Sequence, residues 1–157
     1  MFTKKTLIGI LKEQMEFDSW KLPSLEQLML EYKVEHTLKG NDFWDSESDF
    51  LEAVENGEII SISKEEDRNI SYRSRTRSKE DLLSLIRSYR SYPQYRNEKT
   101  IDKIYEGFME NKPMDLPIVI EFANGRRRIF SGNTRLDIAF QLGITPKVLL
   151  VQSETEY

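Results

Sequence analysis

The chain has 157 residues, 23 Lys and Arg against 27 Asp and Glu for a formal charge of −4, and a hydrophobic share of 38%; that size holds one domain with one sizeable core. It has no Cys and one His, His36, which excludes a disulfide framework, a thiolate metal site, a thiol nucleophile and a multi-histidine metal centre. No apolar run approaches the roughly 18 residues of a membrane span, and the stretch Leu7 to Leu11 is cut short by Lys12 and Glu13, so a cytoplasmic protein with no membrane partner is expected.

Helical spacing is found first over residues 6–16, with Leu7, Ile10 and Leu11 on one face, and then over 24–35, with Leu25, Leu28, Met29 and Tyr32 on another. Pro23-Ser24 separates the two, and Ser24 with Gln27 three residues on has the pattern of a capping box. After Gly40-Asn41 come the aromatic pair Phe43-Trp44 and a short helix around Ser46 to Glu55, ended by Asn56-Gly57. Glu58 to Ser63 reads as a strand because β-branched residues dominate it. Residues 64–77 have almost no aliphatic content and are expected to be an exposed loop. Ser78 to Asp81 then opens a helix through Tyr89, which Ser91-Tyr92-Pro93 breaks. Ile101, Ile104, Tyr105 and Phe108 give a further amphipathic helix over about Glu98 to Glu110.

The last third has the clearest pattern. Leu116 to Phe122 is a strand, Ala123-Asn124-Gly125 a hairpin turn with Asn-Gly supplying positive φ, and Arg126 to Ser131 the returning strand. Ser131-Gly132-Asn133-Thr134 leads into an amphipathic helix, Arg135 to Leu142, closed by Gly143. Lys147 to Val151 is the final strand.

Charge is unevenly distributed along this plan. Residues 41–67 hold 1 basic and 10 acidic groups, whereas residues 68–99 hold 9 basic and 3 acidic ones, so an anion is drawn to the second stretch and repelled by the first. Tyr72-Arg73, Tyr89-Arg90 and Tyr95-Arg96 combine guanidinium groups with rings that stack on bases, a mixture suited to a nucleotide or to single-stranded nucleic acid. A solvated loop followed by a core-facing helix is the plainer alternative. A glycine turn opening a helix is an anion site by construction, since the first backbone N–H groups lack partners and the helix dipole adds positive charge. Ser131, Gly132, Asn133, Thr134 and Arg135 are therefore the candidate phosphate-binding residues, with Gly132 leaving room for a ligand and Arg135 placed for a bidentate contact. Simple capping by Ser131 or Asn133 is the competing account. Glu121 and Asp137 are the acids nearest that turn in sequence, although hairpin-end glutamates and helix-surface aspartates ordinarily do no chemistry. His36 has no identifiable acid–base partner, and the Arg126-Arg127-Arg128 triplet alternates across its strand and cannot all face one ligand.

The run from Glu110 to Val151, with its Pro-Ile-Val strand, hairpin, Gly-containing basic turn, helix ending in Leu-Gly and closing strand, resembles the core of the ParB/sulfiredoxin superfamily. The resemblance extends back to about residue 58, with Tyr92-Pro93-Gln94-Tyr95-Arg96 similar to the family's segment ahead of its first core helix. It implies an α+β fold, a ParB/sulfiredoxin-like small mixed sheet with packed helices, preceded by an N-terminal helical segment. The implied divisions are 1–57, 58–152 and a tail, 153–157. ParB-type turns read Gly-Glu-Arg-Arg and sulfiredoxin turns Gly-Gly-Cys-His-Arg; here Gly132 and Arg135 match, Asn133 stands where ParB proteins carry an acid, and without Cys no sulfiredoxin chemistry is available. In this family the segment before the first core helix helps surround the ligand, which makes Arg73, Arg75, Arg77 and Arg96 a candidate secondary basic shell.

Three functions stay open. The first is a nucleotide-binding domain, with a nucleotide triphosphate and magnesium as the implied ligands and phosphoryl transfer or triphosphate hydrolysis as the implied chemistry. The second is a DNA- or RNA-binding or nuclease-like ParB domain. The third is a non-enzymatic adaptor that meets a protein partner through its N-terminal segment. That segment, with Phe43, Trp44 and Phe50 set among acids, has a duller alternative as a helical layer covering the sheet.

Overall fold

Alternating and continuous apolar runs build one five-stranded sheet in the computed structural model of the chain, which describes residues 16–71, 80–81 and 98–156. In chain order the elements are β1 (Trp20–Lys21), α1 (Leu25–Lys33) continued by a π-helical turn (Val34–Leu38), α2 (Glu47–Glu55), β2 (Glu58–Ser61), α3 (Lys64–Arg68), β3 (Ile70–Ser71), α4 (Glu98–Met109), β4 (Met114–Asp115), β5 (Ile118–Glu121), β6 (Arg127–Ser131), α5 (Asn133–Gln141) and β7 (Lys147–Gln152). The sheet runs β2-β7-β5-β6-β3, and β1 and β4 form a separate two-stranded pair. β5 lies parallel to β7 and antiparallel to β6, β2 is antiparallel to β7, and β3 is parallel to β6. The class is mixed α+β.

Side-chain alternation along the strands sends one set of residues to each face. On the first face Ile118, Ile120, Phe130, Leu149 and Val151 meet Leu28 and Tyr32 of α1, Trp44, and Phe50 of α2. On the second, Val119, Ile129, Val148 and Leu150 meet Leu136 and Phe140 of α5. The far side of α5, Ile138 and Ala139, then packs on Ile101 and Phe108 of α4 and on Phe17. The layers are therefore N-terminal helices, sheet, α5, α4. Residues 28–54 are built into the same core as the strands: Phe50 is 0% exposed and Trp44 donates its indole N–H to the Gln152 carbonyl at 3.0 Å. The start of the tail is tied down too, since the Ser153 N–H donates to the Glu121 carbonyl at 3.0 Å.

Some expectations need correcting. Residues 64–71 are not loop: Ser63 and Glu66 make a full capping box that opens α3, and Ile70, 2% exposed, adds β3 to the edge of the sheet. A polar five-residue helix carries no apolar periodicity, so only its cap signals it. The hairpin turn is the expected Ala123-Asn124-Gly125, but only Gly125, at φ 82°, is left-handed and Asn124 is not, after a turn closed by the Gly125 N–H to the Phe122 carbonyl. α5 begins two residues earlier than the apolar pattern suggests. The apolar residues of α1 divide between two faces, with Leu28 and Tyr32 inward while Leu25 and Met29 are 60% and 40% exposed. The helix expected over 6–16 lies outside the described residues except for Glu16, as does the one from Ser78 to Tyr89 except for residues 80 and 81, which are helical.

Candidate functional site

β6 leaves the sheet at Ser131, and Gly132 turns the chain at φ 90°, ψ 20° into α5. The first helical bond runs from the Leu136 N–H to the Gly132 carbonyl at 3.0 Å, so the N–H groups of residues 133 to 135 have no acceptor within the helix. The N-cap residue is Gly132, which has no side chain to close this end, and Ser131 Oγ makes no hydrogen bond among the described residues, so capping by Ser131 does not occur. A Cβ at residue 132 would lie 2.6 Å from Pro117 Cβ and 2.9 Å from Arg135 Nη2. The space beside this glycine is thus filled by Pro117 and by the guanidinium folded back over the turn, rather than left open for a ligand.

Arg135 stands on one wall of a groove of about 570 Å³, within the range of small-molecule sites. Ser131, Gly132, Asn133 and Thr134 line it too, together with Ile104 of α4 and with Gln27, Glu31, Glu35 and Lys39, which form the wall contributed by the N-terminal helical layer. All five candidate residues of the turn therefore share one cavity. Among the described residues, Ser131 Oγ, Thr134 Oγ1, Arg135 Nε and Glu31 Oε2 are buried without a hydrogen-bond partner, and Thr134 is only 9% exposed. Buried polar atoms without partners are uncommon because each forfeits its bonds to water. Four of them around one groove mark it.

Burial lowers the Arg135 pKa from the ordinary arginine value, while Glu31 and Asp115 act the other way through space. The two acids that line the groove differ in their engagement. Glu35, 5% exposed, accepts from Lys39 Nζ at 3.0 Å and Asn41 Nδ2 at 2.7 Å and lies 3.9 Å from Arg128 Nη2. Among the described residues Glu31 accepts from Gln27 Nε2 alone, at 3.1 Å through Oε1. The acidic wall was not anticipated from sequence, although Gln27, Glu31 and Glu35 recur every four residues and so form one polar stripe beside the Leu28–Tyr32 core stripe.

The other candidates lie elsewhere. Arg73, Arg75, Arg77 and Arg96 fall outside the described residues. Glu121 is held by Arg127 Nε at 3.0 Å and by Gln152 Nε2 at 3.2 Å at the hairpin end of the sheet. Asp137 is fully buried and does not line the groove; it adds to the burial that raises the Tyr105 pKa. His36 stacks on Tyr32, with ring centroids 5.5 Å apart, and pairs with Asp42. Arg128 lies over the Phe43 ring at 4.8 Å, so the arginine triplet does split between environments. Trp44 and Phe50 belong to the core and leave no exposed aromatic anchor for a partner at those positions.

Among the described residues no group of three or more His, Cys, Asp or Glu side chains is placed to hold a metal ion, and no helix is long and apolar enough to cross a membrane. No protein-family model, curated protein or solved structure matches the chain.

Proposed function

We propose that the chain is a ParB/sulfiredoxin-like domain that binds the phosphate of a nucleotide at Ser131 to Arg135. The observation that carries the reading is a helix opening on a left-handed glycine, beside a half-buried arginine whose buried Nε has no partner among the described residues, inside a groove of about 570 Å³. Amides at a helix N-terminus and an arginine fork are donors of the kind phosphate oxygens accept. The resemblance of residues 110–151 to the family, carried in part by Gly132 and Arg135, favours the same position. Magnesium would arrive on the phosphates, since the described residues supply no dedicated carboxylate cage.

The test is a thermal-shift panel of ATP, GTP, CTP and ADP with magnesium, because a ligand that binds only the folded state raises the melting temperature. At a ligand concentration 100 times Kd the gain is about 2.7 kcal/mol, a shift of several degrees for a chain of this size. Arg135→Ala should remove the shift while leaving a cooperative unfolding transition. An unshifted panel, or an Arg135→Ala variant that shifts like the parent, overturns the proposal.

A further inference from the structure

Glu31 is out of place in a site for a bare anion. It lines the groove from α1, acts on Arg135 through space, and holds one buried oxygen, Oε2, that no group among the described residues contacts by hydrogen bonding. Its neighbour Glu35 is fully engaged by Lys39, Asn41 and Arg128 and serves to fix the π-helical turn against β6. Glu31 is fixed by Gln27 through Oε1 only, which orients the carboxylate and leaves the second oxygen as an acceptor. Glu31 gives the Arg135 guanidinium a counter-charge, but a carboxylate lining the same groove also repels phosphate, and a ligand that brings a hydrogen-bond donor to Oε2 turns that repulsion into a contact. A nucleotide does so: its sugar hydroxyls are a few bonds from its phosphate.

Resting on the nucleotide reading above, we infer that Glu31 is a specificity-determining residue that accepts a hydrogen bond from a ribose hydroxyl of the nucleotide whose phosphate sits at Gly132 to Arg135. The groove then has two poles. Donors on the α5 side take the phosphate, and an acceptor on the α1 side takes the sugar. The ligand class is a ribonucleotide, discriminated from its deoxy counterparts and from inorganic polyphosphate. A hydrogen bond to a charged acceptor corresponds to roughly tenfold or more in affinity, whereas an acceptor left facing a deoxy sugar stays buried and unsatisfied.

The experiment measures affinity of the full chain for ATP, GTP and CTP, for the 2′-deoxy and 3′-deoxy form of whichever binds, and for tripolyphosphate, all with magnesium. It is done for the parent chain and for Glu31→Gln, which keeps the side-chain shape and the Gln27 contact but removes the charge. The parent should prefer the ribonucleotide by about tenfold over at least one deoxy form. In Glu31→Gln that preference should shrink to about threefold or less while tripolyphosphate binds several-fold more tightly, because the repulsion is gone. Equal affinity for ribo and both deoxy forms in the parent, or a preference unchanged in Glu31→Gln, overturns the role of Glu31 and leaves nucleotide binding standing. If the parent binds no nucleotide, both readings fall together. Retention of the parent melting temperature by Glu31→Gln shows that the differences are not those of a damaged fold.

Discussion

The two ends of β6 carry similar residues and treat them differently. At the hairpin end Arg127 meets Glu121, Glu121 meets Gln152, and the turn glycine Gly125 stands in open space with nothing within 4 Å of where a Cβ would be. At the helix end Gly132 is walled in by Pro117 and Arg135, and Ser131, Thr134 and Arg135 each present a buried polar atom with no partner. The fold satisfies these side chains at one end of the strand with partly exposed pairs and, among the described residues, leaves polar atoms unsatisfied at the other inside a groove. The contrast separates structural charge from charge available to a ligand, using neighbours on a single strand.

Substitutions at the two ends should break or sharpen that contrast. The largest effect is expected for Gly132→Ala. A left-handed φ of 90° and a Cβ only 2.6 Å from Pro117 should together destabilise by about 3 kcal/mol, a fall in melting temperature of roughly 6–12 °C. A melting temperature within a degree or two of the parent would mean that the turn relaxes freely and is not a fixed cradle. Gly125→Ala has the same conformational handicap at φ 82° but meets no neighbour, so denaturant unfolding should register about 1 kcal/mol. A cost equal to that of Gly132→Ala would erase the distinction between the two turns. Smallest of all is Glu121→Gln. It breaks a partly exposed pair with Arg127, with side chains 28% and 30% exposed, and should cost under about 1 kcal/mol with nucleotide affinity unchanged. Loss of nucleotide binding in that variant would move the site to the wrong end of the strand.

How far the sequence could be read depended on whether the signal was local. Strands β5, β6 and β7 and helix α5 were legible because apolar runs, Asn124-Gly125 and Gly143 punctuate them within a few residues, and the five turn residues do share one groove. α3 was hidden because Lys64 to Arg68 is held by a cap and by sequence-local backbone bonds, with no apolar stripe to reveal it. β1 and β4 escaped because two-residue strands exist only through their partner, Trp20 beside Met114. The acidic wall of the groove was unreadable for a different reason. Which face of α1 looks toward Arg135 is decided by Leu28 and Tyr32 docking on the sheet, a tertiary event that no spacing announces. Burial of Arg135 likewise comes from elements far from it in the chain.

The bond from Trp44 to Gln152 spans 108 positions, and the strand it reaches, β7, lies between β2 and β5. A ribosome adding about 5–20 residues each second therefore leaves Trp44 and Phe50 without their final neighbours for roughly 5–20 s. Through that interval the nascent protein trails greasy aromatics whose cover is completed by its closing strand, and it is then that a holdase or a faster translation rate would matter most to yield.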